Sequence, residues 1–382
     1  MKSEIWVFRD GNWSPDYPTS VSTLLDLYRI GRDTKIDGVI AVDPIALQKM
    51  VKVLEPIDVA GWHEPVTSKN VLDLMRSQWA PNAAEDKSRQ DWLDNRKNAI
   101  GEIVKAMRER LETQPQNINW MVLSQATFDI LAERHMQLWF ADQHIQNWIT
   151  SQTWDGRIRA VSGDYLMVVD SNLGFNKANA VVDTDFTYEV FLKKDAPSEA
   201  SLTIRQKNNS AGKETCSQHT RSGLGDADYW EVVQRCYWSY LRVYAPIDSQ
   251  LQQSTPHKTE AQFLVSEEDV PAKVDVLPSE RNKQVWGTFL MVPHATQKET
   301  TFEYTLPATV VTQIGNQWHY KLDWQKQAGT IANEATIIIH LPSGSRIVQS
   351  SPEPAIDSTT QTPQITYHLS LNTDQQLTLI FD

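Results

Sequence analysis

Cysteine is nearly absent from this 382-residue chain: Cys216 and Cys236 are the only two. Two thiols without CxxC spacing make a poor zinc site. A chain of this length buries on the order of three quarters of its unfolded surface, so it needs neither disulfides nor metal to fold. Long apolar runs are also missing. No window of about 18 consecutive apolar residues occurs, so no transmembrane helix is expected. The start, Met1-Lys2-Ser3-Glu4, runs directly into Ile5-Trp6-Val7-Phe8 without the apolar core of a secretory signal. The chain therefore reads as beginning inside a fold, with any signal or anchor upstream of residue 1. Positive charge is in deficit: 36 Lys and Arg stand against 48 Asp and Glu, for a net charge of −12. This argues against a general nucleic-acid binder, because phosphate neutralisation needs a basic face. GxxxxGK[ST], GxGxxG after a strand, HExxH and GxSxG are all absent. That argues against P-loop and dinucleotide-binding enzymes, zinc peptidases and α/β-hydrolases.

What is present is ordinary globular composition, 40% hydrophobic and 22% charged, which excludes wholesale disorder. The length predicts two or three domains. The first half reads as α/β. Ile5–Phe8 is a short apolar strand. A helix opens at Pro18-Thr19-Ser20 with Val21, Leu24, Leu25 and Tyr28 on one face. Val39–Val42 is a continuous apolar run of the kind found in a buried strand, and Asp43-Pro44 starts the next helix. Further helices are expected from Asn70, over Arg89–Glu112, over Asn119–Ala132 and over Asp142–Ser151. Strands are expected at Met136–Phe140 and Tyr165–Val169. From about residue 180 the pattern changes to alternating strands: Val181–Leu192, Ser201–Arg205, Tyr237–Val243, Phe289–Val292, Thr300–Thr305, His319–Leu322, Ala335–His340, Ile365–Ser370 and Gln376–Phe381. The expected fold is an α/β N-terminal domain, a mixed sheet with helices over residues 1–180. A β module with the cysteine pair (181–270) and a C-terminal β-sandwich (271–382) follow it. The stretch 250–283 reads as a strand-poor linker or insertion.

The densest polar cluster is Arg9-Asp10-Gly11-Asn12-Trp13-Ser14-Pro15-Asp16. Read as a loop after a strand, it would lie at the ligand crevice of an α/β sheet. Arg9 would hold a phosphate bidentately, and Asp10 and Asp16 have the oxygen donors that Mg²⁺ prefers. Asn12 and Trp13 would contact substrate. A structured loop with Asp and Asn capping turns is the competing reading. Asn172 and Lys177 follow the strand at 165–169 and could reach the same crevice, Lys177 as a point charge. A plain turn accounts for them equally well. Arg134-His135 reads as a surface or capping pair. The two cysteines, 20 positions apart, are either unrelated buried thiols or a disulfide. A bond would mark an oxidising compartment.

The blocks Phe8–Ser20 and Asp37–Pro44 resemble the bacterial envelope family catalogued as domain of unknown function 4012. Val169–Gly174 with Lys177, Cys236–Pro246 and Leu322–Thr330 are similar too. Members of that family resemble membrane-anchored, outward-facing proteins. A transmembrane helix and a glycine-rich segment precede their Arg-Asp block, and neither is found here. The α/β half is more remotely similar to LytR–CpsA–Psr phosphotransferases. Their Arg-Asp pair, matched by Arg9-Asp10, belongs to an active site for lipid-linked pyrophosphates and Mg²⁺. The resemblance implies an extracytoplasmic protein of the cell envelope or cell surface. Its partners would be envelope glycan or neighbouring surface proteins, or a second copy of the chain, with no nucleic acid. Membrane attachment would come only through a segment upstream of this sequence.

Two functions compete. One is a structural, adhesive or assembly component. The other is a Mg-dependent glycopolymer phosphotransferase or pyrophosphate hydrolase acting on lipid-linked precursors, with Arg9 and Asp10 in catalysis. The extracytoplasmic setting predicts a Cys216–Cys236 disulfide. Alkylation under denaturing conditions should leave the intact mass unchanged without reductant and add two adducts after reduction. Two adducts without reductant would refute it.

Overall fold

The computed structural model describes residues 7–60, 62–77, 98–218, 229–357 and 364–382. The first part of the chain is helical around one small sheet. Helix α1 (Tyr17–Arg29) begins where Asp16 caps it and Pro18 fills the first turn; its buried Tyr17, Val21 and Leu25 lie at helical spacing. Strand β1 (Gly38–Val42) leads to α2 (Pro44–Leu54), capped by Asp43. Helices α3 (Val71–Ser77), α4 (Asn98–Thr113) and α5 (Trp120–Ala132) follow, then β2 (Met136–Phe140) and α6 (Gln143–Ser151). Leu47, Val51, Leu54, Val71, Ile103 and Met107 share one apolar cluster between α2, α3 and α4.

Two expectations are corrected here. Phe8–Asp10 forms a single 3-10 turn, so the Arg9-Asp10 pair does not follow a strand at residues 7 and 8. Ile5 and Trp6 lie outside the described residues. β1 is not a buried strand: among the described residues it pairs only with β2, antiparallel, in a two-stranded sheet, and Ile40 and Val42 are exposed. Two strands paired in this way make no carboxyl-end crevice of the kind an open α/β sheet provides. The N-terminal half of the expected helix over Arg89–Glu112 lies outside the described residues.

From residue 164 the regular elements of the described residues are mainly strands. Its strands are β3 (Asp164–Asn172), β4 (Val182–Phe191), β5 (Glu199–Asn208), β6 (Tyr237–Pro246), β7 (Gln250–Ser254), β8 (Asp275–Glu280), β9 (Lys283–Val292) and β10 (Gln297–Thr305). They continue as β11 (Val311–Ile314), β12 (Gln317–Trp324), β13 (Glu334–His340), β14 (Ile347–Ser351), β15 (Ala355–Asp357), β16 (Gln364–Ser370) and β17 (Gln375–Phe381). A short helix, α7 (Tyr229–Val233), precedes β6. β7 and β8 occupy part of the stretch expected to be strand-poor.

One sheet runs β15-β16-β13-β4-β5-β10-β7; the other runs β14-β17-β12-β3-β6-β9-β8, with β11 on β12. Both are mixed: β12 pairs parallel to β3 and β13 parallel to β4, while the other pairings are antiparallel. Strands from the three expected segments stand side by side. β3 lies between β12 and β6, and β4 between β13 and β5. The alternation seen in the sequence explains why the sheets share a core. Phe186, Tyr188 and Val190 on β4, and Ile337 and Ile339 on β13, meet Leu166 and Val168 on β3 and Tyr320, Leu322 and Trp324 on β12. Tyr165, Met167 and Val169 point the other way, into a second cluster with Ile158, Tyr244 and Val285. β3 is therefore apolar on both faces, which is why Tyr165–Val169 reads as an unbroken hydrophobic run.

A polar network is sealed inside this core. The Asp164 carboxylate, fully buried, accepts from Tyr188 Oη at 2.7 Å, Tyr320 Oη at 2.6 Å and the Tyr165 amide at 2.8 Å. Burial pushes its pKa up to about 6 despite those donors. The folded state thus holds this proton more tightly than the unfolded chain, where the carboxyl titrates near its ordinary value. Stability from this group is full at pH values below that ordinary value and is lost as pH rises toward 6. The loss is about 3 kcal/mol. Urea midpoints should fall between pH 4 and pH 6.5, and fall less in Asp164→Asn; equal slopes in the two proteins would contradict the assignment.

Candidate functional site

The polar loop at the N-terminus does not converge on one point. Arg9 and Asp10 form an ion pair at 3.7 Å, with side chains 78% and 48% exposed. Asp10 also accepts from the Val7 amide at 3.3 Å. Asp16 is fully buried. Its carboxylate accepts from the Thr19 amide and hydroxyl at 3.2 and 2.6 Å, and from the Ile158 amide at 3.0 Å. Arg281 completes the set, with Nε at 2.8 Å and Nη2 at 2.7 Å. Arg281 and Asn282 form the two-residue turn between β8 and β9, both with positive φ, the geometry of a type I′ hairpin. Ser14 hydrogen-bonds Glu280 beside that turn. The loop is thus a clasp fastening α1 to the second sheet. An Asp16 carboxylate surrounded by N–H and O–H donors and a guanidinium does not fit a divalent cation, which needs the same lone pairs.

Trp13 takes a different position. Its ring lies 5.8 Å from Tyr240 on β6, and the Arg242 guanidinium sits 4.2 Å from the ring centre. Trp13 remains 39% exposed, whereas Arg242 is only 3% exposed. Arg242 stands opposite Gly287 on β9. A Cβ at Gly287 would lie 2.5 Å from Tyr240 Oη, so glycine leaves the room in which Tyr240 lies across the strand. Burial is the main cause that raises the Tyr240 pKa, with Asp275 adding to it. Asn12 is exposed and, among the described residues, has no hydrogen-bond partner.

Next to Tyr240 is a cleft of about 210 Å³. Leu173, Tyr240, Leu264, Val270, Pro271 and Phe289 line its apolar side, and Gln218, Ser266, Lys273 and Asp275 its polar side. Lys273 and Asp275 pair at 2.7 Å. Cys216 and Cys236 are joined as a disulfide, with Cα atoms 5.5 Å apart. The bond packs with Trp238, Leu264 and Phe289 behind this cleft. Gln218, two residues on, donates to the Leu173 carbonyl at 3.1 Å and accepts from the Val265 amide at 3.2 Å, tying three loops into one wall. His294 approaches both sulfurs. With the sulfurs bonded to each other, the group offers no thiolate to a metal.

Asn172 and Lys177, expected at the same crevice as Arg9, organise a turn. Asn172 Nδ2 donates to Asn176 Oδ1 at 3.0 Å, and Asn172 Oδ1 accepts from the Gly174 amide at 2.8 Å. Lys177 is exposed, and its amide donates to the Val232 carbonyl at 3.2 Å. This turn adjoins the cleft through Leu173. Of the expected substrate residues none lines the cleft itself: Trp13 contacts its wall residue Tyr240, and Asn172 adjoins its wall residue Leu173.

A second polar cluster escaped the sequence reading. His135, expected at the surface, is buried with Nδ1 2.6 Å from Asp43 and Nε2 3.5 Å from Glu133. Arg134 and Arg159 both pair with Asp374, Arg134 at 2.8 Å. Lys326 is 2% exposed and donates to the carbonyls of Glu133, Gln327 and Thr330. Burial, followed by nearby Arg134, lowers its pKa to about 8, so it is charged at neutral pH. Gln325 accepts from Tyr165 Oη at 2.7 Å and the Arg159 amide at 3.1 Å. The residues concerned are scattered over the sequence; Arg134-His135 reads there as a surface or capping pair and Asp43 as a helix start, with nothing to link them to Lys326 or Asp374. They join the helical part to the sheets.

Residues 1–79 match the family described as "Protein of unknown function (DUF4012)", which occurs in bacterial envelope proteins. No curated protein matches the chain. Similar solved structures include a candidate nutrient-binding protein from Legionella pneumophila, 8% identical, with a TM-score of 0.35 over 57% of this chain and 71% of that one. An M1 zinc metallopeptidase from Deinococcus radiodurans is 8% identical, with a TM-score of 0.27 over 52% of this chain and 42% of that one. A candidate protease from Parabacteroides distasonis is 11% identical, with a TM-score of 0.25 over 53% of this chain and 40% of that one. None of these findings brings in the LytR–CpsA–Psr phosphotransferases.

The clasp predicts a contrast between two arginines. Arg281→Ala leaves the buried Asp16 charge without its cation and should cost about 2–3 kcal/mol in urea unfolding. Arg9→Ala removes an exposed pair and should cost less than about 0.5 kcal/mol. Equal costs would remove the clasp as a structural element.

Proposed function

We propose that this chain is an extracytoplasmic envelope protein that binds glycan in the cleft beside the disulfide and has no catalytic step of its own. One observation carries the reading: an aromatic and aliphatic wall (Leu173, Tyr240, Phe289) faces a short polar rim (Gln218, Ser266, Lys273, Asp275) in one concavity. Apolar faces of sugar rings pack against such a wall, while their hydroxyls need a few placed donors and acceptors. The disulfide supports an oxidising compartment, and the partial family match supports the envelope. Asp16, with its oxygens committed to α1, Ile158 and Arg281, favours this reading over Mg-dependent phosphotransfer from Arg9 and Asp10.

We further infer that residues 164–382 form one sandwich-type module, supported by the single core between the two sheets. The boundary of the α/β part then falls before β3, earlier than the residue 180 expected from the change of pattern. Attachment to the membrane through an upstream segment, and self-association, belong to the same proposal.

An array of oligosaccharides from bacterial envelopes tests the reading. Binding should persist in EDTA and fall at least about tenfold in Phe289→Ala, a loss of packing within a ligand wall. Metal-dependent phosphotransfer by the wild type, abolished in Arg9→Ala, would overturn it.

A further inference from the structure

The Arg242 guanidinium is an unusual group in this fold. It is 3% exposed, yet among the described residues no carboxylate forms an ion pair with it. It contacts Ser171 Oγ, 3.3 Å from Nη2, the Tyr244 hydroxyl, and the face of Trp13 at 4.2 Å. Nε has no hydrogen-bond partner. Of the acids on β8, Glu280 is occupied by Tyr244 Oη at 2.8 Å and by Ser14, and Asp275, which stands across Gly287 on the same rung as Arg242, is paired with Lys273 at 2.7 Å. A buried cation with an open donor and no counter-ion is costly, and such groups are retained where a ligand supplies the missing charge. The stacked indole offsets only part of that cost.

We propose that Arg242 recognises the carboxylate of an acidic saccharide, and that Trp13 is the movable cover over it. This rests on the glycan-binding reading above and names the class of glycan. Trp13 lies against Tyr240, and Tyr240 is a wall of the cleft. A sugar seated on Tyr240 therefore has its edge within one ring width of Arg242. A planar guanidinium suits a carboxylate, which it binds through two parallel N–H donors. The cover needs no loop motion. Gly11, on one side of Trp13, packs against Leu24, where a Cβ would meet Cδ2 at 2.7 Å; Ser14, on the other side, is bonded to Glu280. The backbone is thus held at both flanks, and rotation of the Trp13 side chain alone uncovers the guanidinium.

Calorimetry with three probes tests this: an oligogalacturonate, a neutral oligosaccharide of equal length, and inorganic phosphate. The oligogalacturonate should bind at least about tenfold more tightly than the neutral sugar. Arg242→Gln should abolish that preference, Arg242→Lys should retain part of it, and Trp13→Ala should tighten acidic binding. Thermal unfolding of each variant establishes that it is folded; Arg242→Lys and Trp13→Ala keep the test valid if Arg242→Gln is not. Equal binding of acidic and neutral sugars, or a preference untouched in Arg242→Lys and Trp13→Ala, would overturn the inference while leaving a glycan cleft. Phosphate that displaces the acidic sugar at comparable concentration would replace the saccharide class with a plain anion site. Absence of binding by all three probes to both wild type and Trp13→Ala would also overturn it.

Discussion

The Asp16 carboxylate is the constraint on which the arrangement of this molecule depends. One buried side chain caps α1, accepts the Ile158 amide that leads into β3, and pairs with Arg281 at the β8–β9 turn. Each contact answers a separate need: an orphan helix N–H, an orphan backbone N–H, and the charge itself. Because all three meet on one group, the helical part cannot shift against the sheets without exposing an unpaired buried charge. The Trp13–Tyr240 contact and the Ser14–Glu280 bond follow from the same placement.

A second fastening lies around Asp374, Arg134, Arg159 and Lys326. It joins the turn after α5, the segment before β3 and the loops after β12 and β16. Between the two fastenings, Tyr165, Met167 and Val169 are covered on the outer face of their sheet. β3 is therefore a strand whose burial depends on both halves of the chain. Its Asp164 and Asp170 carboxyls, both raised by burial, have tyrosine hydroxyls as partners. Hydroxyls satisfy a buried carboxyl in either protonation state, which an ion pair would not do.

Much of the fold was legible from pattern. Strong 3.6-residue periodicity with Asp-Pro or Asn starts placed α1, α2, α5 and α6, and strict alternation placed β4, β5, β10, β12 and β13. What failed has a physical cause. Val39–Val42 has the composition of a buried strand, but β1 has only β2 as neighbour and an exposed face; composition cannot see neighbours. Phe8 and Val7 carry strand propensity, but the turn there follows local hydrogen bonds such as Gly11 to Phe8. The candidate site was partly legible. Trp13 and the Asn172 turn stood out as loop residues after or before regular elements. Arg242 did not, because on a strand it reads as one polar position in an alternating run. Its lack of an ion pair depends on partners the sequence does not show: Asp275, on the same rung beyond Gly287, is taken by Lys273.

The strand order also governs how the chain can fold. The parallel pairings β12 on β3 and β13 on β4 join positions about 150 residues apart, and β17 must be in place before β12 is flanked on both sides. Contacts so distant in sequence are slow to form. The helical part has its own small core, yet Arg134, His135 and the outer face of β3 stay uncovered until Lys326 and Asp374 arrive. A nascent chain that has not yet released residues 326–374 would expose these surfaces, so this topology makes assembly a late event and favours shielding of the chain until its last strands are available.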